Sequence, residues 1–171
     1  MLSIAFVIAV IIGCKTNGNS TDTKKLNLTF ESKSNSNVTG TASFVEKNGS
    51  VTFVANMAGL KPGMHAIHIH EKSDCTAADG SSAGGHWNPT FKKHGKWGVG
   101  ECHKGDIGNF IADEKGNGTI SLTTDEWCIG CGDTTKDILG KGLIVHAGAD
   151  DFTTQPTGNA GGRVACSAII K

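Results

Sequence analysis

Apolar and polar residues alternate over much of the chain. Leu26, Leu28 and Phe30 are separated by polar residues, and Val51, Phe53, Ala55 and Met57 repeat the pattern, which is the period of a strand with one face on a core. Asn48-Gly49 stands between two such runs and predicts a hairpin turn. Further strands are expected at residues 39–45, 64–70, 106–111, 119–122, 143–146 and 164–170, while no stretch shows a helical period and no repeat is visible. The pattern therefore predicts an all-β fold, an eight-stranded antiparallel Greek-key sandwich or flattened barrel with two long functional loops. Those loops, 71–105 and 147–163, are rich in Gly, Asp, Asn and Thr. Connections of that length are functional or are held by something other than a core.

Composition narrows the function. A chain of 171 residues suits one domain of ordinary size. Sixteen basic residues balance 16 acidic ones, so there is no basic field of the kind that drives nucleic-acid binding. With 24 Gly against 3 Pro, the chain favours short strands joined by Gly-rich loops. Six Cys and 7 His exceed what a core of this size needs, and both are metal ligands.

The N-terminus speaks to compartment. Residues 2–12 are almost wholly apolar, too short for a membrane-spanning helix of about 20 residues and suited to the apolar region of an export signal. No Lys or Arg precedes the run, a departure from the usual signal. It ends in Ile11-Ile12-Gly13-Cys14, which resembles the bacterial lipobox, so Cys14 is expected to carry lipid and to open the mature chain. A signal peptide over 1–13 and a solvated tether over 14–25 (KTNGNSTDTKK from Lys15) are then followed by the folded domain over 26–171. The domain would face an oxidising space in the bacterial envelope, periplasmic or at the outer membrane.

On a strand His68 and His70 project to one face, while His65, Ile67 and Ile69 project to the other. Two imidazoles on one face, with Cβ atoms roughly 6–7 Å apart, can reach a single metal. His65 shares the isoleucine face and is expected to be a buried structural residue. The first long loop carries His86, His94, His103 and Asp106, and His146 ends the run Leu143-Ile144-Val145. Six such histidines and one aspartate fill two metal sites if one histidine serves both.

The segments 63–71 (GMHAIHIHE), 85–89 (GHWNP), 103–109 (HKGDIGN), 145–151 (VHAGADD) and 158–166 (GNAGGRVAC) resemble, in order, the copper/zinc superoxide dismutase family. That resemblance runs from about Leu26 to Ile170. It implies copper on His68, His70, His86 and His146, and zinc on His86, His94, His103 and Asp106, with His86 as the bridge. Three imidazoles and a carboxylate give zinc a closed tetrahedral set, and four imidazoles suit a tetragonal Cu(II). Superoxide is the implied substrate, converted to dioxygen and hydrogen peroxide. The resemblance also makes Arg163, the chain's sole arginine, the residue that attracts the anion, and Asp150 the carboxylate that orients one histidine of each metal. It pairs Cys75 with Cys166. The loop 147–162 contains no lysine, so substrate steering by a lysine there is absent.

Two rival readings fit less well. A copper-storage module would be missing a ligand or the arginine, and neither is missing. A zinc hydrolase would need an open zinc position, which Asp106 closes. Neither the assembly interface nor a choice between monomer and homodimer is written in the sequence. Cys102, Cys128 and Cys131 fall outside the family pattern. Loop closure favours a local Cys128–Cys131 bridge with Cys102 free, over a bridge from Cys102 to either. The anchor is testable: Cys14→Ser should release the chain from membranes, and extraction of the wild type by salt without detergent would contradict a lipid anchor.

Overall fold

The computed structural model describes residues 23–171, so the export signal, Cys14 and most of the expected tether lie outside the described residues. One sheet is built from β1 (Lys24–Thr29), β2 (Glu31–Ser32), β3 (Thr39–Lys47), β4 (Ser50–Ala58), β5 (Gly63–His70), β6 (Gly108–Ala112), β7 (Gly118–Thr124), β8 (Lys141–His146) and β9 (Arg163–Ile169). Their spatial order is β1-β3-β4-β7-β6-β5-β8-β9-β2, and the pairings are antiparallel. The only helical element among the described residues is a 3₁₀ turn at Ser81–Ala83.

Nine strands stand where eight were expected because the first one breaks at Phe30. Leu26 and Leu28 sit opposite β3 residues, Phe30 turns into the core, and Glu31 then pairs with Cys166 of β9. A single segment thus hydrogen-bonds to both ends of the sheet. That nearly closes the barrel and covers its open edges. The Greek-key step lies between β4 and β5, since β4 neighbours β7 while β5 lies between β6 and β8.

Two boundaries differ from expectation, each for a local reason. Lys24 and Lys25, expected in the tether, belong to β1. Lys24 lies opposite Glu46, and its ammonium donates to that carboxylate at 3.3 Å and to the Ile129 carbonyl at 2.8 Å. Asp106 and Ile107 were expected to open the strand that begins at Gly108. They stay in the loop, where the Asp106 carboxylate accepts the backbone N–H groups of Gly95 at 3.1 Å and His103 at 2.8 Å.

The core follows the alternation. Phe44 and Phe53 are cross-strand partners with ring centroids 4.8 Å apart, and Trp127 meets them edge-on at 6.1 and 6.5 Å. At the β3–β4 hairpin both Asn48 (φ 52) and Gly49 (φ 78) have positive φ, as a turn matching strand twist requires.

Strand β5 is buried on both faces. Ile67 and Ile69 enter the core, while His68 and His70 lie under the long loops. The 71–107 loop is laced directly to β5. Trp87 N–H donates to the Ile69 carbonyl at 2.8 Å, Ile69 N–H to Gly105 at 2.9 Å, and Gly105 N–H back to Trp87 at 3.0 Å. A Cβ on Gly105 would run into the Ile69 carbonyl. Gly105→Ala should therefore displace His103 and Asp106 and reduce retained metal after dialysis more than it lowers the unfolding midpoint. Full metal content in that variant would contradict this account.

Candidate metal centre

Three parts of the chain supply the histidines. β5 contributes His68 and His70, the 71–107 loop His86, His94, His103 and Asp106, and β8 His146. The loop returns beside β5 through a bridge pairing of His70 with His86. His103 and Asp106 face each other across a tight turn, with Asp106 N–H on the His103 carbonyl at 3.3 Å. At the end of β8 the register shifts between Val145 and His146, which leaves His146 opposite Arg163 of β9.

These residues form two groups joined by His86. Donor atoms of His68, His70, His86 and His146 lie within 4.8 Å of one another, as do those of His86, His94, His103 and Asp106. In the second group the Asp106 carboxylate oxygens stand 2.8 Å from His86 Nδ1, 3.0 Å from His94 Nδ1 and 3.2 Å from His103 Nδ1. The Cβ frames and rings are thus close enough for one small cation to take all four donors.

The hydrogen bonding says which ring atoms would bind. His68 Nδ1, His70 Nε2, His86 Nε2, His94 Nδ1, His103 Nδ1 and His146 Nε2 are buried without a hydrogen-bond partner. Opposite nitrogens on four of these rings are engaged. His68 Nε2 and His94 Nε2 donate to the two oxygens of Asp150 at 2.9 and 2.8 Å, His70 Nδ1 to the Gly84 carbonyl at 2.9 Å, and His146 Nδ1 to the Gly161 carbonyl at 3.2 Å. Each such donor N–H fixes the tautomer and leaves the other nitrogen's lone pair aimed at the cluster. Buried polar atoms are rarely left unpaired. Six of them converging on two points fit a pair of metal ions.

Electrostatics agree. Burial, reinforced by neighbouring imidazoles, lowers His86 to about 4 and His146 to about 3 and pushes His70 well below its usual value. These rings are neutral at pH 7, the state that ligation needs. Burial opposes charge on His94 as well, but Asp106 and Asp150 outweigh it and raise His94 to about 9. The neighbouring carboxylates thus favour the protonated ring of His94 at neutral pH, and a cation bound at Nδ1 would displace that proton. Burial also opposes ionisation of Asp150, yet hydrogen bonds from His68 and His94 hold it well below the usual carboxylate range.

Arg163 forks onto two backbone carbonyls, Nη1 to Gly80 and Nη2 to Gly84, each at 2.7 Å. Gly84 also accepts from His70, so one carbonyl orients both a cluster imidazole and the guanidinium. The Cys75–Cys166 disulfide, with Cα atoms 5.8 Å apart, ties the loop to β9 beside them. Cys128 and Cys131 are bonded to each other and Cys102 is free. His65 is buried outside both clusters, with Nδ1 2.9 Å from the His146 carbonyl oxygen and Nε2 2.8 Å from that of Lys61.

The sequence alone assigns no role to two positioning side chains, although Asn109 closes the 103–109 motif. Asn109 Oδ1 accepts the Asp150 N–H and its amide donates to the Asp150 carbonyl, both at 2.8 Å. Gln155 holds His94 in the same manner, at 2.9 and 3.0 Å. Each is a two-bond clamp on the backbone of a centre residue, visible only once distant segments meet.

A nearly closed antiparallel barrel carrying two donor groups that share one histidine defines a protein built to hold two metal ions side by side. The family model for copper/zinc superoxide dismutase (SODC) matches residues 38–169. Superoxide dismutase [Cu-Zn] 2 of Aquifex aeolicus (strain VF5) is 37% identical over 135 residues, covering 77% of this chain and 79% of that protein. A crystal structure of the clock protein EA4 superimposes with a TM-score of 0.73 at 32% identity, over 85% of this chain and 94% of that one. The chain belongs to the copper/zinc superoxide dismutase family, and copper and zinc are its cofactors.

Because Asp150 links a histidine of each cluster, Asp150→Ala should weaken zinc binding about 10–100-fold. Competition with a chelator of known affinity measures this; unchanged zinc affinity would remove Asp150 from the orienting role.

Proposed function

We propose that this chain disproportionates superoxide to dioxygen and hydrogen peroxide, and that it does so in the bacterial envelope, held there by lipid on Cys14. His68, His70, His86 and His146 would hold copper, and His86, His94, His103 and Asp106 would hold zinc. Copper supplies one-electron oxidation and reduction in alternation, while zinc supplies a fixed charge. The observation that carries the reading is the convergence of six unpartnered buried nitrogens on two points that share His86.

The chain's own residues then have definite tasks. The Arg163 guanidinium is held by two carbonyls next to His70 and opposite His146, so its remaining N–H groups offer an oriented, permanently charged site for a small anion. His86 Nε2 is buried with no protein partner, so its one lone pair would go either to copper or, when copper is not bound there, to a proton needed for peroxide. Asp150 keeps His68 and His94 in fixed tautomers, so the site does not reorganise as charge moves. The apolar run ending in Gly13-Cys14 supports the anchor.

Metal analysis followed by a dismutase assay on the same sample tests the reading. One copper and one zinc per chain with activity are expected; copper without any zinc site would overturn the two-metal assignment. Arg163→Glu should keep both metals and lose most of the rate, since a like charge then faces the anion. Arg163→Lys should lose less, because the charge survives without the fork. The wild-type rate should fall with rising ionic strength, a behaviour for which superoxide dismutases are themselves the standard case. Unchanged turnover in the Glu variant would exclude the role given to Arg163.

A further inference from the structure

One end of the barrel presents an apolar and basic surface beside the metal centre, whose His103 also lines a cavity there. Phe91 is 93% exposed and Val99 64% exposed, although large apolar side chains are usually placed to avoid water. Their neighbours line one cavity of about 210 Å³, bounded by Thr90, Lys92, Trp97, Gly98, Cys102 and Lys104 among others. Phe91 lies between the lining residues Thr90 and Lys92, and Val99 between Gly98 and Gly100. Phe91 is not a loose tip. It has a positive φ of 54, and the turn is held by Asn88, which accepts the Lys92 N–H at 3.0 Å and donates to the Lys92 carbonyl at 2.8 Å.

Charge surrounds this apolar pair asymmetrically. Residues 90–104 carry Lys92, Lys93, Lys96 and Lys104 against Glu101 alone. Lys104 is paired with Glu126, and Lys92, Lys93 and Lys96 are exposed with no ion-pair partner among the described residues, Lys96 lying 5.7 Å over the Phe152 ring. Exposed aromatic and aliphatic tips ringed by lysines are the composition that binds an anionic lipid surface.

The chain's entry point fixes which end of the barrel can meet a membrane. Lys24, where β1 starts, bonds the Ile129 carbonyl. Two residues earlier in that loop, Trp127 donates to the Lys104 carbonyl at 2.9 Å and packs on Trp97 at 5.3 Å. The first strand and the Phe91–Val99 surface therefore share an end of the molecule. Between Cys14 and Lys24 the chain can span at most about 35 Å when fully extended.

We propose that this end, with Phe91 and Val99 at its tips and Lys92, Lys93 and Lys96 around them, docks on an anionic phospholipid bilayer. The geometry rests on the reading that Cys14 is lipidated; the surface itself does not. Docking would cover the mouth of the cavity that holds Cys102, the one free cysteine among the described residues.

That thiol is a native reporter. Mature wild-type protein is reconstituted on zwitterionic vesicles and on vesicles containing phosphatidylglycerol, separated by flotation, and labelled with a neutral polyethylene-glycol maleimide. Flotation on both vesicle types with labelling of Cys102 slowed about tenfold only on the anionic ones is the expected result. Phe91→Asp with Lys93→Glu should restore the rate while the protein still floats; it leaves intact Lys92 and Lys104, whose charges bear on the thiol. Flotation on anionic vesicles alone would support docking and overturn the anchor. Equal labelling on the two vesicle types would overturn docking with the anchor intact, and no flotation on either would overturn both.

Discussion

The centre is organised by a set of buried nitrogen atoms that the protein itself does not satisfy. Six imidazole nitrogens converge without a hydrogen-bond partner, and two of them, on His94 and His103, face only the Asp106 carboxylate, at 3.0 and 3.2 Å. At about 1–3 kcal/mol for each buried unsatisfied group, their desolvation is on the order of 10 kcal/mol, comparable with the whole stability of an ordinary domain, about 5–15 kcal/mol. Such an arrangement is tolerable only if cations complete it. Metal binding is accordingly coupled to the placement of the 71–107 loop, which contributes four of the seven donor residues.

The barrel and the loops divide the work. The strands provide rigidity and two aligned imidazoles, because period-2 geometry puts His68 and His70 on one face while Ile67 and Ile69 hold the other in the core. Everything else must be brought to that face. The 71–107 loop is fastened at Trp87 and Gly105 by backbone bonds to Ile69 and at Cys75 by a disulfide to β9. In the loop-entropy view, closing a separation of 91 residues stabilises the fold by about 4–5 kcal/mol. Its more specific consequence is local. Cys166 lies three residues from Arg163, so the bond that ties down the loop also ties Gly80 and Gly84 to the guanidinium they accept from.

How far the sequence revealed this depended on whether a feature was local. The strands, the hairpin at Asn48-Gly49 and the shared face of His68 and His70 were legible because each follows from alternation over a few residues. The donor residues were legible through motif order. Features that need two distant segments were not. Phe30 looks like one more apolar position of a strand, and only the two-sided pairing of β1 and β2 shows that it divides one. His146 reads as the end of a regular strand, but the register shift after Val145 is what faces it toward Arg163. Asn109 and Gln155 are ordinary polar residues until the chain brings Asp150 and His94 beside them. Asp106 was placed in a strand because Ile107 follows the apolar pattern, whereas two backbone N–H groups on its carboxylate keep it in the loop.

The cysteines outside the family pattern make physical sense through the loop that precedes β8. Cys128 and Cys131 close a short ring, and the Asp137 carboxylate accepts the N–H groups of Gly130, Gly132 and Leu139 at 2.9, 3.0 and 3.1 Å. This loop thereby satisfies much of its own backbone and needs little core. Its outward bonds run in two directions, from Ile129 to Lys24 on β1 and Glu46 on β3, and from Trp127 to Lys104 beside His103. The 71–107 loop is consequently held at one end by β5, at another by the Cys75 disulfide, and along its flank by a self-braced loop that also bonds β1 where it begins. A perturbation at the N-terminal edge is therefore expected to reach His94, His103 and Asp106 through Ile129 and Trp127 before it reaches His68, His70 and His146, which sit on β5 and β8.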